Sequence, residues 1–160
     1  MASHDKIMDG LWIGGRLSLD AWRYLWDEGV RVVVSLQEEE RNQYGDLLPE
    51  AELWLPAPDM GMPTIQQLWL ACAFIHRALL DGKKVVVHCR YGVGRSPMTV
   101  ASYLVTQGWQ PRRAVEFITQ RRPVVDPNRR QWEGLEEFAR RWQAGNLPPL
   151  EAACRTAKEV

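Results

Sequence analysis

A run of valines followed by a glycine-containing turn most constrains the fold of this chain. Residues 85–87 are three β-branched valines, which predict a buried strand. The segment 88–96, HCRYGVGRS, follows, and an apolar helical pattern then covers residues 97–105. A strand, a short loop and a helix start bring backbone N–H groups and the positive end of a helix dipole around one point. The sequence therefore predicts a binding site for a tetrahedral oxyanion.

Two side chains of this loop add chemistry to the anion site. Cys89 stands at the start of the loop, and Arg95 follows six positions later. A free thiol is only a few per cent ionised at neutral pH, and backbone amides at a helix N-terminus stabilise the nucleophilic thiolate. The planar guanidinium of Arg95 can hold two phosphate oxygens at once. We interpret Gly92 and Gly94 as positions that need positive φ and a close approach of the backbone to the anion.

The motif His-Cys, five residues, Arg-Ser resembles the active-site loop of the cysteine-dependent protein tyrosine phosphatases, and most closely the dual-specificity branch. The resemblance implies that Cys89 is the nucleophile of a phosphoester hydrolysis. It also implies that the His88 ring forms a hydrogen bond to the backbone near the nucleophile and supports its thiolate. It implies that Ser96 helps the sulfur to leave, although a serine here is also a preferred helix N-cap. The implied phosphate-binding residues, mostly through their amides, are Arg90, Tyr91, Gly92, Val93, Gly94 and Arg95.

A second loop supplies a candidate acid. The prolines and the glycine of the segment 55–64, LPAPDMGMPT, predict a loop. This loop carries Asp59, upstream of Cys89. Dual-specificity phosphatases carry an aspartate in a similar Pro-x-x-Asp-x-x-x-Pro loop, which Pro56, Asp59 and Pro63 match. The resemblance implies that Asp59 protonates the leaving oxygen and then activates water. By its local sequence alone, Asp59 would be an ordinary turn residue.

The segment 121–130, RRPVVDPNRR, matches the Arg-Pro-x-x-x-Pro-Asn pattern that borders the cleft in this family and implies a supporting role for Asn128. The glutamine that follows in many members is not matched, so Asn128 and Gln131 both stay open as its replacement. The four arginines of this segment, together with Arg90, predict a basic rim that favours substrates with more than one phosphate.

Alternating strand and helix patterns predict a single α/β domain with a central, mostly parallel sheet of four to five strands flanked by helices. We assign residues 1–145 to the catalytic domain and expect residues 146–160 to form a frayed C-terminal tail. The resemblance supports the same fold.

Composition excludes several classes of function. Twenty basic and twenty acidic residues cancel, so nucleic acid is not an expected partner. No apolar run approaches the roughly 18 residues that span a bilayer, so we expect no membrane insertion. Three cysteines without framework spacing indicate a reducing, cytoplasmic compartment, with Cys72 as a buried inert thiol. Scattered histidines predict no metal site, and the chemistry requires no cofactor.

The sequence leaves the substrate open. Because the chain is short and has no long insertion, we expect its substrates to be phosphotyrosine, phosphoserine and phosphothreonine in proteins. We expect the protein to be a monomer. The alternative is a phosphorylated small molecule or lipid, such as a phosphoinositide or an inositol polyphosphate. A phosphate-binding module without catalysis is disfavoured because Cys89, Arg95 and Asp59 occur together, and a sulfurtransferase is disfavoured by Asp59 and Ser96.

Overall fold

The computed structural model describes residues 3–154 of the chain. The strands are β1 (His4–Met8), β2 (Leu11–Gly14), β3 (Val30–Gln37), β4 (Ala51–Ala57) and β5 (Lys84–His88). The helices are α1 (Leu19–Asp27), α2 (Ile65–Leu80), α3 (Arg95–Thr106), α4 (Pro111–Arg121) and α5 (Arg129–Gln143), followed by a 3-10 helix (Leu150–Cys154). This arrangement confirms the predicted single α/β domain.

The strands form one sheet in the order β1-β2-β5-β3-β4. The pairs β2–β5, β5–β3 and β3–β4 are parallel, and only β1 runs antiparallel to its neighbour. The sequence did not predict β1, because this edge strand, HDKIM, begins with three polar residues. Strand β5 is central, which explains its run of valines, since such a strand is buried on both faces.

Successive residues of a strand point to opposite faces, so the two sides of the sheet have separate cores. Val85 and Val87 join the larger core with residues of α2, α3, α4 and α5. Val86 joins the smaller core on the other face, where Trp22 and Leu25 of α1 pack. The two layers hold the central strand, and with it the residues that follow His88, in a fixed position.

Strands β2, β3, β4 and β5 are parallel and end at the same edge of the sheet, and the three longest loops that leave there follow β3, β4 and β5. They are residues 38–50 after β3, residues 58–64 after β4 and residues 89–94 after β5. Open α/β sheets bind ligands at the carboxyl ends of their strands. The topology therefore places the two predicted site loops, which carry Asp59 and Cys89, at the same edge of the sheet as residues 38–50.

The residues after α5 correct the expectation that residues 146–160 form a frayed tail. Leu150 is buried in the larger core, and Trp69 Nε1 of α2 donates a hydrogen bond to Pro148 O at 2.8 Å. This segment therefore packs on α2 as part of the domain, because an apolar side chain follows the two prolines. Residues 155–160 of the predicted tail lie outside the described part. No helix between residues 3 and 154 is long and apolar enough to cross a bilayer.

Candidate active site

Cys89 lies directly after the central strand, with its side chain inside a ring of donors. Its Sγ accepts a hydrogen bond from Gly92 N at 3.2 Å and lies 3.4 Å from Ser96 Oγ. The amides of Tyr91, Val93 and Gly94 donate to no acceptor within residues 3–154. Helix α3 then begins at Arg95, so its positive end adds to the same field. The loop is built to hold an anion in contact with the sulfur.

The two loop glycines serve different purposes, which corrects half of the prediction. Gly92 has φ +67°, as expected, and a Cβ there would lie 2.6 Å from the carbonyl carbon of Gly14. Gly94 has φ −130°, so positive φ is not its requirement. A Cβ at Gly94 would instead lie 2.4 Å from the Gln131 amide group. Gly94 is small because the Gln131 side chain packs on it.

Ser96 is not the N-cap of α3, because the helix begins one residue earlier and its N-cap is Gly94, which has no side chain to cap it. The buried Ser96 hydroxyl lies between Cys89 Sγ (3.4 Å) and the Gly14 carbonyl oxygen, to which it donates at 3.3 Å. The structure therefore excludes the N-cap role of Ser96 and places its hydroxyl beside the Cys89 sulfur.

Arg95 is fully buried beside the cleft and makes a two-pronged ion pair that the sequence did not predict. Its Nη1 and Nη2 donate to the two carboxylate oxygens of Glu39 at 2.7 and 2.9 Å, and Nη1 also donates to Ala57 O at 2.9 Å. Hydrogen bonding to Arg95 lowers the pKa of Glu39 to about 2. The pair fixes the plane of the guanidinium. Nothing in the local acidic run 38–40 distinguishes Glu39 from its neighbours, so only the fold could find it.

The His88 ring is buried under the loop and hydrogen-bonded at both nitrogens. Asn42 Nδ2 lies 2.7 Å from His88 Nε2, and His88 Nδ1 lies 3.3 Å from Cys89 O. If Asn42 donates, the proton of the ring is on Nδ1 and is directed at the Cys89 carbonyl. Burial lowers the pKa of His88 to about 3, so the ring is neutral at physiological pH. The predicted backbone contact of His88 is present, whereas Asn42 was missed.

Asp59 lies in the segment of residues 56–63, which comprises the last two residues of β4 and most of the loop that follows; we call this segment the Asp59 loop. Its half-exposed carboxylate lines the same cleft as Cys89, accepts a hydrogen bond from Met60 N at 2.9 Å and lies 3.5 Å from Arg95 Nη2. Met60 has φ +63°, a left-handed conformation that is strained for a residue with a side chain. The loop therefore brings a carboxyl group from a separate strand to the cysteine loop.

Asn128 begins α5 and contacts the Asp59 loop, which agrees with its predicted supporting position. Its Oδ1 accepts from Gln131 N at 2.9 Å, and its Nδ2 donates to Met60 O at 2.8 Å. Gln131, which the sequence left open, is buried and donates through Nε2 to Gly61 O at 3.0 Å. Both residues line the cleft.

The predicted basic rim is wrong. Arg122 is buried; its Nε donates to Gly92 O at 2.8 Å and its Nη1 to Asp5 at 2.7 Å, so it supports the cysteine loop from behind. Arg90 pairs with Glu40 at 3.3 Å, and Arg129 pairs with Glu133 along α5. None of the five predicted arginines lines the cleft. Long arginine side chains turn toward nearby carboxylates and carbonyls, and a linear charge pattern does not show this.

The cleft has a volume of about 320 Å³, and its lining charged side chains are Arg95, Asp59 and Asp126. A larger cavity of about 910 Å³ lies between α4 and α5, but no cysteine or histidine lines it among the described residues. Cys72 is fully buried in α2, and burial raises the pKa of its thiol well above the ordinary value. Nucleophile, anion donors and a carboxyl group therefore meet in the smaller cleft.

Metal coordination finds no support in the side-chain arrangement. Across residues 3–154, no three His, Cys, Asp or Glu side chains come together as ligands would. The buried histidines His4 and His88 are committed to protein contacts, since His4 Nε2 lies 2.9 Å from Gly15 O and His88 contacts Asn42.

Comparison with known sequences gives a consistent family. Residues 13–109 match the family described as "Tc-R-P: Polymorphic toxin system, DSP-PTPase phosphatase". The chain is 29% identical over 149 residues to dual specificity phosphatase 28 of Mus musculus, covering 91% of this chain and 90% of that protein. It is 28% identical over 140 residues to protein phosphatase Slingshot homolog 2 of Homo sapiens, covering 86% of this chain but spanning only 10% of that protein.

Comparison with solved structures agrees on the fold. A crystal structure of PTPMT1 in complex with PI(5)P superposes with a TM-score of 0.81 at 27% sequence identity, covering 91% of this chain and 99% of that one.

Proposed function

Because this chain belongs to the family of cysteine-dependent dual-specificity phosphatases, we propose that it removes phosphate from phosphotyrosine in proteins, and also from phosphoserine and phosphothreonine. Membership of the family makes the chain a phosphoric monoester hydrolase. The observation that carries the proposed reaction is the placement of Cys89, Arg95 and Asp59 around one small cleft. A nucleophile, an anion donor and a proton donor are the three parts that the reaction needs.

The reaction proceeds in two steps. The Cys89 thiolate attacks phosphorus, the ester P–O bond breaks, and its electron pair goes to the leaving oxygen, which takes the proton of the Asp59 carboxyl. Arg95 and the amides of residues 90–95 bind the three non-bridging oxygens. Water then attacks the cysteinyl-phosphate while Asp59 accepts its proton, and the P–S electron pair returns to sulfur. The Ser96 hydroxyl, 3.4 Å from Sγ, rotates its proton from Gly14 O toward the departing thiolate and stabilises it.

A phosphoinositide or inositol polyphosphate is the second candidate substrate. It is supported by the structural similarity to PTPMT1, whose crystal structure holds PI(5)P. Against it, the charged residues that line the cleft are one arginine and two carboxylates, Asp59 and Asp126. A second phosphate beside the scissile one would meet repulsion from Asp126. We therefore rank proteins that carry a single phosphate on a tyrosine ring above phosphoinositides as candidate substrates.

The test begins with p-nitrophenyl phosphate and a phosphotyrosine peptide. Wild-type protein is expected to hydrolyse both, Cys89→Ser to hydrolyse neither, and Asp59→Ala to lose kcat more than KM, by roughly 10²-fold or more. Inhibition by vanadate and insensitivity to EDTA are expected. Turnover by Cys89→Ser would remove the covalent mechanism. Binding of phosphate without turnover by the wild-type protein would favour the alternative of a phosphate-binding module.

A panel of phosphopeptides against phosphoinositide vesicles then decides the substrate class. The proposal predicts a higher kcat/KM for phosphotyrosine peptides than for vesicles that contain a phosphoinositide. The reverse order would replace it with the lipid alternative, and the covalent mechanism would stand.

A further inference from the structure

We propose that Gln67 and Gln131 are positioning residues that hold the Asp59 loop over the nucleophile from its two ends. The inference rests on the proposed function of Asp59 as the acid. The two glutamines belong to different helices, 64 positions apart in the sequence, yet they make the same set of contacts. Each lies at the third position of its helix in a capping box, and each also donates to a carbonyl of the loop.

Gln131 holds the second half of the loop. Its Oε1 accepts a hydrogen bond from Asn128 N at 3.0 Å, which completes the capping box of α5. Because the oxygen of the amide is committed to the cap, the nitrogen must face the other way, where it donates to Gly61 O at 3.0 Å. Gln131 is 3% exposed, so neither group has water as an alternative partner. Loss of the hydrogen bond to either the amide oxygen or the amide nitrogen of Gln131 would therefore destabilise the folded loop.

Gln67 holds the start of the loop in the same manner. Its Oε1 accepts from Thr64 N at 2.9 Å, which completes the capping box of α2. Its Nε2 donates to Pro56 O at 3.3 Å, at the point where the loop leaves β4. Both ends of the segment that carries Asp59 are therefore fixed by helix starts whose own geometry is set by their caps.

The middle of the Asp59 loop has an unfavourable backbone conformation, which would not persist without contacts that hold the loop. Met60, the residue after Asp59, has φ +63°. Its carbonyl accepts from Asn128 Nδ2 at 2.8 Å, and the next side chain, Met62, packs against Gly134, where a Cβ would lie 2.5 Å from Met62 Cγ. A strained residue persists only when its surroundings over-determine it. Without these contacts, we expect the loop to relax and Asp59 to leave the cleft.

A positioning role differs from a merely structural one in its dependence on the leaving group. An acid matters most for a basic leaving group such as phenoxide and least for a stable one such as 2,4-dinitrophenoxide. A change in the position of Asp59 alters kcat/KM for phenyl phosphate much more than for 2,4-dinitrophenyl phosphate. A change in stability alters both by the same factor, and deuterium uptake of the loop separates a displaced loop from a change in the charge of the site.

The variants Gln67→Glu and Gln131→Glu separate the two contacts of each glutamine. Glutamate keeps the oxygen that completes the capping box but has no N–H to donate to the loop. Gln120→Glu, on the exposed side of α4, adds the same charge without contacting the loop and is the matched control. The assay is kcat/KM over a series of aryl phosphates, together with deuterium uptake of the segment 57–62 in each full-length variant.

We expect each loop variant to lower kcat/KM for phenyl phosphate about fivefold, as for the loss of one hydrogen bond, and to lower it for 2,4-dinitrophenyl phosphate by less than about twofold. Deuterium uptake of 57–62 should rise in both variants, and Gln120→Glu should match the wild type. An equal loss for all substrates, or unchanged uptake, would overturn the proposal. If Asp59→Asn shows no dependence on the leaving group, the role of Asp59 as acid fails, and the uptake data still decide whether the glutamines hold the loop.

Discussion

Replacing Glu39 by glutamine is expected to destabilise the protein in a pH-dependent manner. Glu39 makes the two-pronged ion pair with the buried Arg95, and this hydrogen bonding lowers its pKa from 4.5 to about 2. A carboxyl group with a lowered pKa in the folded state stabilises that state fully above its unfolded pKa. The stabilisation is lost as pH falls from about 4.5 toward about 2, because the group is then protonated in both states.

The size of the effect follows from the shift. At about 1.4 kcal/mol per pKa unit, the ion pair would contribute about 3 kcal/mol to the free energy of unfolding. The Glu39 side chain is 27% exposed, and the backbone of this residue is more open still. Screening by solvent reduces the contribution to about 2 kcal/mol. Glu39→Gln is therefore expected to be about 2 kcal/mol less stable at pH 7, with more than half of that difference gone at pH 3.

Urea unfolding at pH 7, 5, 4 and 3 measures this difference, with Glu38→Gln as the matched control. Glu38 is exposed and is expected to change the free energy of unfolding by less than about 0.5 kcal/mol at every pH. A difference between wild type and Glu39→Gln that stays constant from pH 7 to pH 3 would refute the reasoning, because the ion pair would then not be its source.

Three further predictions concern the cleft and the cysteines. Gly92→Ala is expected to lower kcat/KM at least about tenfold, since φ is +67° and the new Cβ would lie 2.6 Å from backbone; wild-type kinetics in this variant would contradict the loop geometry. Asp126→Asn should raise the ratio of kcat/KM for inositol phosphates to kcat/KM for a phosphotyrosine peptide about threefold. Asp27→Asn is the control and should leave this ratio unchanged. Equal ratios in the two variants would refute the argument that Asp126 repels a second phosphate. Iodoacetamide at pH 7 should alkylate Cys89 and spare Cys72, whose pKa burial raises; peptide mass spectrometry that found Cys72 labelled first would show a different packing of α2.

Much of the fold followed from local patterns. Strand β5 contains the predicted valines 85–87, and α3 contains the predicted helical pattern of residues 97–105, with bounds that agree within two residues. These boundaries depend on caps, glycines and β-branched runs, which act within a few residues. Strand β1 and the packed segment around Leu150 were missed, because each is ordered by contacts with distant parts of the chain.

The sequence by itself determined the local conformation of the cysteine loop and which chemical groups it carries, because the strand, the turn, Cys89 and Arg95 are contiguous. Only the tertiary structure decided what holds those groups in place. Glu39 lies 56 positions from Arg95, and Arg122 lies 117 positions from Asp5. Such partners have no local signature, since an acidic or basic side chain can reach several others and packing of the whole domain selects one. For the same reason, three arginines of the predicted basic rim, Arg90, Arg122 and Arg129, pair with carboxylates.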